Sequence, residues 1–220
     1  MSSYEGKELE YFSHARKEIE PLLPVQGSRV LEIGCGSGAT LHWLRVEKGY
    51  VHAAGCEISS NAAACARASV DEIVVGDAEF LTDEQLRRLG TFDLILCLDV
   101  LEHMRDPWSF LSRIRPRLDR RGMLIASIPN ARNVDLIGPL LLRGKWHYRA
   151  EGILDKTHLR FFTRSTALEL IRECGLKVDR VLDVTPAAGS KRAIFDRATF
   201  GIFRDFLAVQ FLISARQVDS

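Results

Sequence analysis

The chain has 220 residues, of which 46% are hydrophobic and 27% charged, and its 30 basic and 29 acidic side chains give a formal net charge of +1. This length can bury one sizeable core but leaves little room for a catalytic domain beside a nucleotide-binding one, which disfavours a two-domain dehydrogenase. A near-neutral charge supplies no global field for nucleic acid or anionic lipid, so we expect no nucleic-acid partner.

Five cysteines are scattered along the chain without forming a C-x-x-C pair: Cys35, Cys56, Cys65, Cys97 and Cys174. An odd set of this kind is typical of reduced and mostly buried thiols. The sequence has neither a basic-then-apolar signal at its N-terminus nor an uninterrupted apolar run of about 18 residues. We therefore expect a cytoplasmic protein without a membrane-spanning segment.

Short apolar runs alternate with helical patterns from Val30 onward, which is typical of a parallel sheet with helices on both faces. Strands are predicted near residues 29–34, 51–57, 72–76, 92–98, 122–128, 177–184 and 206–216. Helices are predicted near residues 39–47, 59–68, 82–89, 107–118 and 164–174. Because only the irregular segment 185–205 separates the last two strands, they would pair antiparallel. The sequence thus predicts a doubly wound α/β fold with a mostly parallel seven-stranded sheet and an antiparallel edge hairpin.

Four of these helices are preceded by side chains that can cap them: Ser59, Thr82 with Gln85, Asp106 before Pro107, and Thr163. Residues 1–26 are predicted to form a covering helix, since a partial helical period runs through them before Pro21 breaks it. Residues 27–220 would then form one domain.

A glycine-rich turn follows the first predicted strand, where residues 29–38 read RVLEIGCGSG. Gly34 and Gly36 have no Cβ, so a ligand can approach the main chain closely, and the helix starting near Gly38 directs free N–H groups at it. This spacing also fits the loose dinucleotide pattern G-x-G-x-x-G/A. Glu57 lies where an acidic residue would hold a ribose hydroxyl in either case.

Glu32 separates these two interpretations, because its carboxylate lies two residues before the first glycine. A negative charge there would repel a pyrophosphate. It would suit a cationic ligand such as the sulfonium and amino-acid end of S-adenosylmethionine, with Glu57 accepting hydrogen bonds from both ribose hydroxyls.

The motifs together resemble those of class I S-adenosylmethionine-dependent methyltransferases. The matching segments are 30–38, Gly55-Cys56-Glu57, Gly76-Asp77-Ala78, and Asp99-Val100-Leu101-Glu102-His103 within 92–107. The resemblance covers most of residues 28–178 and implies a Rossmann-like fold. It also implies a cofactor site made of Glu32, Gly34, Gly36, Gly38, Glu57, Ile58, Asp77, Ala78, Leu98 and Asp99. In that site Asp77 would accept from the adenine amine, the alternative being that Asp77 only caps the following helix.

Residues 130–163 form a connection far longer than the 2–6 residues usual in α/β units. An apolar run near its start is followed by basic, aromatic, acidic and imidazole side chains. We interpret the insertion as a lid that recognises a polar acceptor. The alternative is an apolar brace with a solvated basic flank.

A hydroxyl acceptor needs a base to take its proton during methyl transfer. His103 is the first candidate, because in the resembled family the end of the preceding strand faces the methyl group. Asp155 and His158 would share a helix face and form the rival base, or else a hinge of the lid. Glu102 either orients His103 or faces solvent.

Metal and nucleic-acid sites are not expected. No cluster in the sequence has metal-ligand spacing, since His42, His52 and His147 are separated by helical and strand positions. The five arginines between residues 113 and 121 suit the polar face and C-terminal end of a helix, where positive charge complements the dipole.

Three segments narrow the resemblance to particular branches of the superfamily. Residues 127–133 and 155–163 are similar to a branch met in bacterial polysaccharide and glycan biosynthesis, and residues 99–107 are similar to ubiquinone-pathway O-methyltransferases. We therefore expect an enzyme that methylates a hydroxyl of a small polar acceptor, such as a sugar. The alternatives are an amine-directed methyltransferase, an NAD(P)-dependent oxidoreductase and a non-catalytic methyltransferase-fold partner subunit. The oligomeric state is left open.

Overall fold

The computed structural model describes residues 14–185, 196–199, 201 and 203–218. Its seven strands are β1 (Arg29–Ile33), β2 (His52–Glu57), β3 (Glu72–Val75), β4 (Phe92–Leu98), β5 (Leu118–Pro129), β6 (Leu176–Val184) and β7 (Gln210–Gln217). Its helices are α1 (Ala39–Lys48), α2 (Ser60–Ala66), α3 (Asp83–Arg88), α4 (Pro107–Ile114), α5 (Val134–Arg143), α6 (Arg164–Glu173) and α7 (Arg204–Leu207). Short 3-10 helices cover Lys17–Leu22, Ala78–Phe80, Leu101–His103 and Arg115–Arg117.

The strands form one sheet in the order β3-β2-β1-β4-β5-β7-β6. Strands β1 to β5 are parallel, whereas β7 runs antiparallel to both β5 and β6. This confirms the predicted fold. The chain order reverses between β1 and β4, and ligands of open α/β sheets bind at the carboxyl edge beside such a reversal.

The core lies on both faces of the sheet, because strand side chains alternate between them. Leu31 of β1 packs on the face covered by α4 and α6. Val30 packs on the opposite face, which α1 and the N-terminal 3-10 helix cover. Burial on both faces is the arrangement expected of a mostly parallel sheet.

The predicted capping side chains are confirmed. Ser59, Asp106 and Thr163 each accept a hydrogen bond from the first turn of the following helix, and Thr82 forms a capping box with Gln85.

Three predicted boundaries differ from the structure. Helix α4 ends at Ile114 rather than near residue 118, because Pro116 has no backbone N–H to continue the α-helical hydrogen bonds, and only a 3-10 turn follows. Strand β5 consequently starts at Leu118, four residues before the predicted position. Strand β7 starts at Gln210 because residues 204–207 form α7.

The N-terminal covering helix is only partly testable, since residues 1–13 lie outside the described residues. Residues 17–22 form a 3-10 helix rather than an α-helix, and Pro21 lies inside it. Ile19 and Leu22 are buried, and the Pro21 carbonyl accepts a hydrogen bond of 2.6 Å from Arg180 of β6. The segment therefore covers the sheet, but with different local geometry.

The insertion contains α5 and then returns to the sheet through its final residues. Asn133 caps α5, while the backbone N–H groups of Leu159 and Arg160 both donate to the Glu102 carbonyl, at 2.8 and 2.9 Å. Leu141 and Leu142 near the end of α5 are 76% and 84% exposed, which contradicts a packed apolar brace at that end. Within the described residues, no helix is both long and apolar enough to cross a membrane.

Two of the five arginines between residues 113 and 121 bond to other parts of the protein. Arg113 bonds Asp83 at 2.9 Å and also donates to backbone carbonyls, and Arg115 donates to the Cys174 carbonyl at 3.2 Å.

Candidate active site

A cavity of about 330 Å³ opens at the carboxyl edge of β1, β2 and β4. Nine of the ten predicted cofactor residues line it: Glu32, Gly34, Gly36, Glu57, Ile58, Asp77, Ala78, Leu98 and Asp99. The tenth, Gly38, is instead the N-cap of α1. His103 lines the same cavity. The fold thus brings together residues that span 71 positions of the sequence, from 32 to 103.

The glycine turn follows β1 directly and needs glycine for two reasons. Gly34 and Gly36 have φ angles of +70° and +55°, a backbone region that other residues rarely adopt. A Cβ on Gly34 would also lie 2.5 Å from Cγ2 of Val100, which is far inside van der Waals contact. The turn therefore presents bare backbone to the cavity.

Glu57 closes β2 and is held in place from two sides. Its Oε2 accepts from the Gly36 N–H and its Oε1 from the Ser59 N–H, both at 2.8 Å. A carboxylate only accepts hydrogen bonds, and its two oxygens together offer about four acceptor positions. The carboxylate is therefore oriented and retains the capacity to accept from hydroxyl donors in the cavity.

Glu32 lies at the inner end of the cavity and is 3% exposed. Burial raises the pKa of its carboxyl to about 8, although Arg16 and a hydrogen bond from Thr40 oppose this shift. Its Oε2 has no hydrogen-bond partner among the described residues. A buried carboxylate oxygen in that state fits a cationic ligand group, such as the ammonium of S-adenosylmethionine.

Arg16 is a site residue that the sequence analysis missed. It lines the cavity and donates from Nη1 to Oδ2 of Asp99 at 2.6 Å, and from Nη2 to the Ser127 hydroxyl at 3.2 Å. The Ser127 hydroxyl in turn donates to the other Asp99 oxygen. No local pattern marks Arg16, because its partners are far along the chain.

Asp99 has a strained backbone, with a φ angle of +53° in a residue that is not glycine. Such strain persists only where the surroundings impose it, and it clusters at functional sites. Gln210, at the start of β7, contacts both Asp99 and Arg16 when its side-chain amide nitrogen faces Asp99. The amide nitrogen then lies 3.3 Å from Oδ1 of Asp99, and the amide oxygen lies 3.1 Å from Nη2 of Arg16.

Asp77 has the capping role that the sequence offered as the alternative, and it also lies at the cavity. Its Oδ1 accepts from the Glu79 N–H at 3.0 Å and so caps the 3-10 helix Ala78–Phe80. The residue is only half-buried and also lines the cavity.

His103 ends the 3-10 turn after β4, and its ring Nδ1 lies 3.1 Å from the Thr157 carbonyl. Since a carbonyl can only accept, Nδ1 carries the proton and Nε2 carries the lone pair in the neutral ring. His158 is arranged in the same way, with Nδ1 2.9 Å from the Ile153 carbonyl. The two rings meet edge to face, with centroids 4.6 Å apart.

The expected helical pairing of Asp155 with His158 is wrong. This segment is a turn, and the Asp155 carboxylate accepts from the Thr157 N–H and hydroxyl, at 2.8 and 2.7 Å. The Ile153 carbonyl, rather than Asp155, binds the His158 ring nitrogen. Neither Asp155 nor His158 is among the described residues that line the cavity.

Glu102 does not face solvent, which removes one of its two predicted roles. It is 1% exposed, and neither carboxylate oxygen has a hydrogen-bond partner among the described residues. Burial, followed by the nearby Asp99 charge, raises the pKa of Glu102 well above its ordinary value. Its Oε1 lies 3.9 Å from Nε2 of His158.

Comparison with known proteins gives relatives of this chain. The family model described as "Methyltransferase domain" matches residues 7–181. The ubiquinone biosynthesis O-methyltransferase of Cereibacter sphaeroides is 30% identical over 168 residues, covering 74% of this chain and 66% of that protein. The tRNA U34 carboxymethyltransferase of Haemophilus influenzae is 30% identical over 108 residues, covering 47% of this chain and 33% of that protein. The chain thus spans at most about two thirds of the length of these two relatives.

Solved structures share the fold. A Haloferax volcanii putative methyltransferase, in complex with the Trm112 methyltransferase activator, aligns with a TM-score of 0.64 and 22% identity over 96% of this chain and 92% of its own. Magnesium protoporphyrin IX methyltransferase from Synechocystis, with bound S-adenosylhomocysteine, aligns with a TM-score of 0.60 and 15% identity over 95% and 82%. Since the family model covers most of the chain and the cofactor residues line one cavity, this protein belongs to the S-adenosylmethionine-dependent methyltransferases.

Proposed function

We propose that this protein transfers the methyl group of S-adenosylmethionine to a hydroxyl oxygen of a small polar acceptor. One observation carries the proposal: the cofactor cradle and the imidazole of His103 line the same cavity. A methyltransferase for neutral amines needs less help from a base, whereas an unactivated hydroxyl must lose its proton as the methyl group arrives.

The polar groups of the cavity match the cofactor along its length. Glu57 would accept from the ribose hydroxyls and Asp77 from the adenine amine. At the other end, Glu32 would face the ammonium of the amino-acid part of the cofactor. Arg16 would donate hydrogen bonds to the carboxylate of the same part. The two opposite charges of that part thus meet one acidic and one basic side chain.

In the transfer step, a lone pair of the acceptor oxygen forms a bond to the methyl carbon as the carbon–sulfur bond breaks. S-adenosylhomocysteine leaves with the electron pair of that bond. The oxygen loses its proton to Nε2 of His103, whose Nδ1 proton is held by the Thr157 carbonyl. His158, whose ring meets that of His103 edge to face, is the alternative proton acceptor. The protein otherwise contributes by holding oxygen, carbon and sulfur in line and by excluding water.

For the acceptor we favour a sugar or glycan intermediate, because the insertion offers hydrogen-bonding and aromatic side chains close together in sequence, from Lys145 to Arg149. Polar and ring-stacking groups of these types suit a sugar. The second candidate is a phenolic hydroxyl, favoured by the 30% identity to ubiquinone biosynthesis O-methyltransferases.

Two measurements test the proposal. Calorimetric titration of S-adenosylhomocysteine should show binding, which Glu57→Ala weakens by roughly a hundredfold to ten-thousandfold, since two hydrogen bonds to a charged acceptor are worth about 1.5–3 kcal/mol each. The exposed Glu84 provides the matched control, Glu84→Ala, with unchanged affinity. Unchanged binding in a folded Glu57→Ala protein would remove the ribose assignment.

The second measurement follows labelled methyl from the cofactor into panels of sugars, phenols and amines. Label on oxygen supports the proposal, and the panel that reacts identifies the acceptor class. Label on nitrogen would contradict the proposal and would support an amine-directed methyltransferase. Cofactor binding without transfer to any panel would favour a non-catalytic partner subunit.

A further inference from the structure

Glu102, His103 and His158 lie together beside the cofactor cavity. One nitrogen or oxygen atom from each of the three residues lies within 4.8 Å of the other two. Glu102 and His103 are adjacent in sequence, whereas His158 comes from the returning arm of the insertion. The tertiary structure alone therefore creates the cluster.

The Glu102 carboxylate is the first sign of a missing ligand. It is 1% exposed, yet neither of its oxygens has a hydrogen-bond partner among the described residues. A buried polar group usually has a partner, because leaving it without one costs about 1–3 kcal/mol, and more for a charged group. The backbone of Glu102 is well bonded, since its carbonyl accepts from two N–H groups of the insertion. The main chain of Glu102 is therefore fixed in position, while its buried carboxylate oxygens remain available to a ligand.

The two imidazoles are the second sign. Each directs Nδ1 at a backbone carbonyl, Thr157 for His103 and Ile153 for His158, which leaves the lone pair on Nε2. Histidines that bind metals have this arrangement, in which the second ring nitrogen donates to a carbonyl and fixes both tautomer and ring orientation.

Distances are compatible with a metal ion. Nε2 of His158 and Oε1 of Glu102 are 3.9 Å apart. Two ligand atoms that bind a tetrahedral zinc ion at about 2.0–2.1 Å lie about 3.3 Å from each other, so a side-chain movement of about 0.6 Å would bring this pair to the separation of zinc ligands. We propose that Glu102, His103 and His158 form a binding site for a divalent transition metal of the zinc, manganese or cobalt type. Two imidazoles and one carboxylate suit these metals better than magnesium or calcium, which prefer oxygen ligands.

Three protein ligands leave at least one coordination position open toward the cavity that His103 lines. This part of the inference rests on the proposed function: an acceptor hydroxyl bound there would lose its proton more easily, as water does when binding to a metal lowers its pKa to about 7. In the metal-loaded protein the released proton would pass to solvent, and the role of His103 as base would apply only to the metal-free protein.

The test measures metal binding alone, without cofactor or acceptor. The chelator-treated full chain is dialysed against Zn²⁺, and bound metal is counted by mass spectrometry. We expect one Zn²⁺ per chain and a loss of affinity of at least tenfold in Glu102→Gln and in His158→Ala. His42→Ala, at an exposed histidine of α1, should bind as the wild type does. Equal zinc binding in all four proteins, or none in the wild type, would overturn the site.

A measurement on the wild type keeps the test decisive if a variant does not fold. Zinc should shift the Nε2 resonances of two histidines in nitrogen-15 spectra, and cobalt should give visible absorption bands from nitrogen and oxygen ligation. Absence of both would refute the proposal. If zinc binds but chelation leaves methyl transfer unchanged, the metal site stands and its catalytic role is wrong. If zinc binds and no acceptor is ever methylated, the proposed function fails and the site remains.

Discussion

Arg16 and Asp99, 83 positions apart in the sequence, form an ion pair at the cofactor cavity, with Nη1 2.6 Å from Oδ2. The contact connects the segment before β1 to the end of β4. It also places the arginine where the amino-acid part of the cofactor would lie. When the cofactor binds, we expect Arg16 to redirect part of its hydrogen bonding from Asp99 to the cofactor carboxylate.

Replacing Arg16 by Ala should therefore weaken S-adenosylhomocysteine binding by about tenfold to a hundredfold, the value of one hydrogen bond between charged groups. Calorimetry measures the change. Lys17→Ala is the matched control, because this neighbouring cation lies on the surface and pairs with Glu47. Equal losses of affinity in Arg16→Ala and Lys17→Ala would mean that binding depends only on overall positive charge and not on the position of Arg16.

The buried Glu32 should make stability depend on pH. Its pKa is raised from 4.5 to about 8 by burial, so the folded protein keeps a proton that the unfolded chain has lost between these values. The free energy of unfolding should therefore fall as pH rises from about 4.5 to about 8. Glu32→Gln, which cannot ionise, should reduce this decline.

Urea unfolding of the cofactor-free protein at several pH values in that window measures the effect. Glu84→Gln, on the exposed face of α3, should leave the decline as it is in the wild type. A Glu32→Gln protein whose stability changes with pH just as the wild type does would show that Glu32 is ionised in the folded state.

Loss of His103 should affect turnover more than cofactor binding. We expect His103→Ala to lower the methyl-transfer rate by about 10²–10⁴ while S-adenosylhomocysteine affinity stays nearly unchanged. His42→Ala serves as the control. If His158→Ala is inactive while His103→Ala turns over normally, the essential imidazole is on the insertion.

The insertion is expected to close over bound ligands, although its returning arm, residues 155–163, is already attached to the turn after β4 through Glu102. Closure would involve residues 134–154, in which Leu141 and Leu142 of α5 are exposed and would become buried. Hydrogen exchange there should slow when cofactor and acceptor bind, while the returning arm should be protected throughout. Exchange in residues 134–154 that ignores both ligands would contradict a lid.

The sequence alone determined the sheet and the cofactor cradle, because both depend on local signals. Alternating apolar runs predict strands, capping side chains mark helix starts, and a glycine turn with acidic residues at two strand ends places a cofactor at the carboxyl edge. Nine of ten predicted residues line the cavity for this reason. Gly38 differs because the same turn also needs a residue of positive φ to start α1.

Only the tertiary structure decided which distant side chains complete the site. Arg16 reaches Asp99 because the N-terminal segment folds back over the sheet, and His158 reaches Glu102 because the insertion returns to the turn after β4. The sequence predicted that the Asp155 carboxylate binds the His158 ring, but the Ile153 carbonyl binds that ring instead. Such contacts depend on the path of irregular segments, which side-chain periodicity does not encode, because periodicity reports only which face of a regular element is buried.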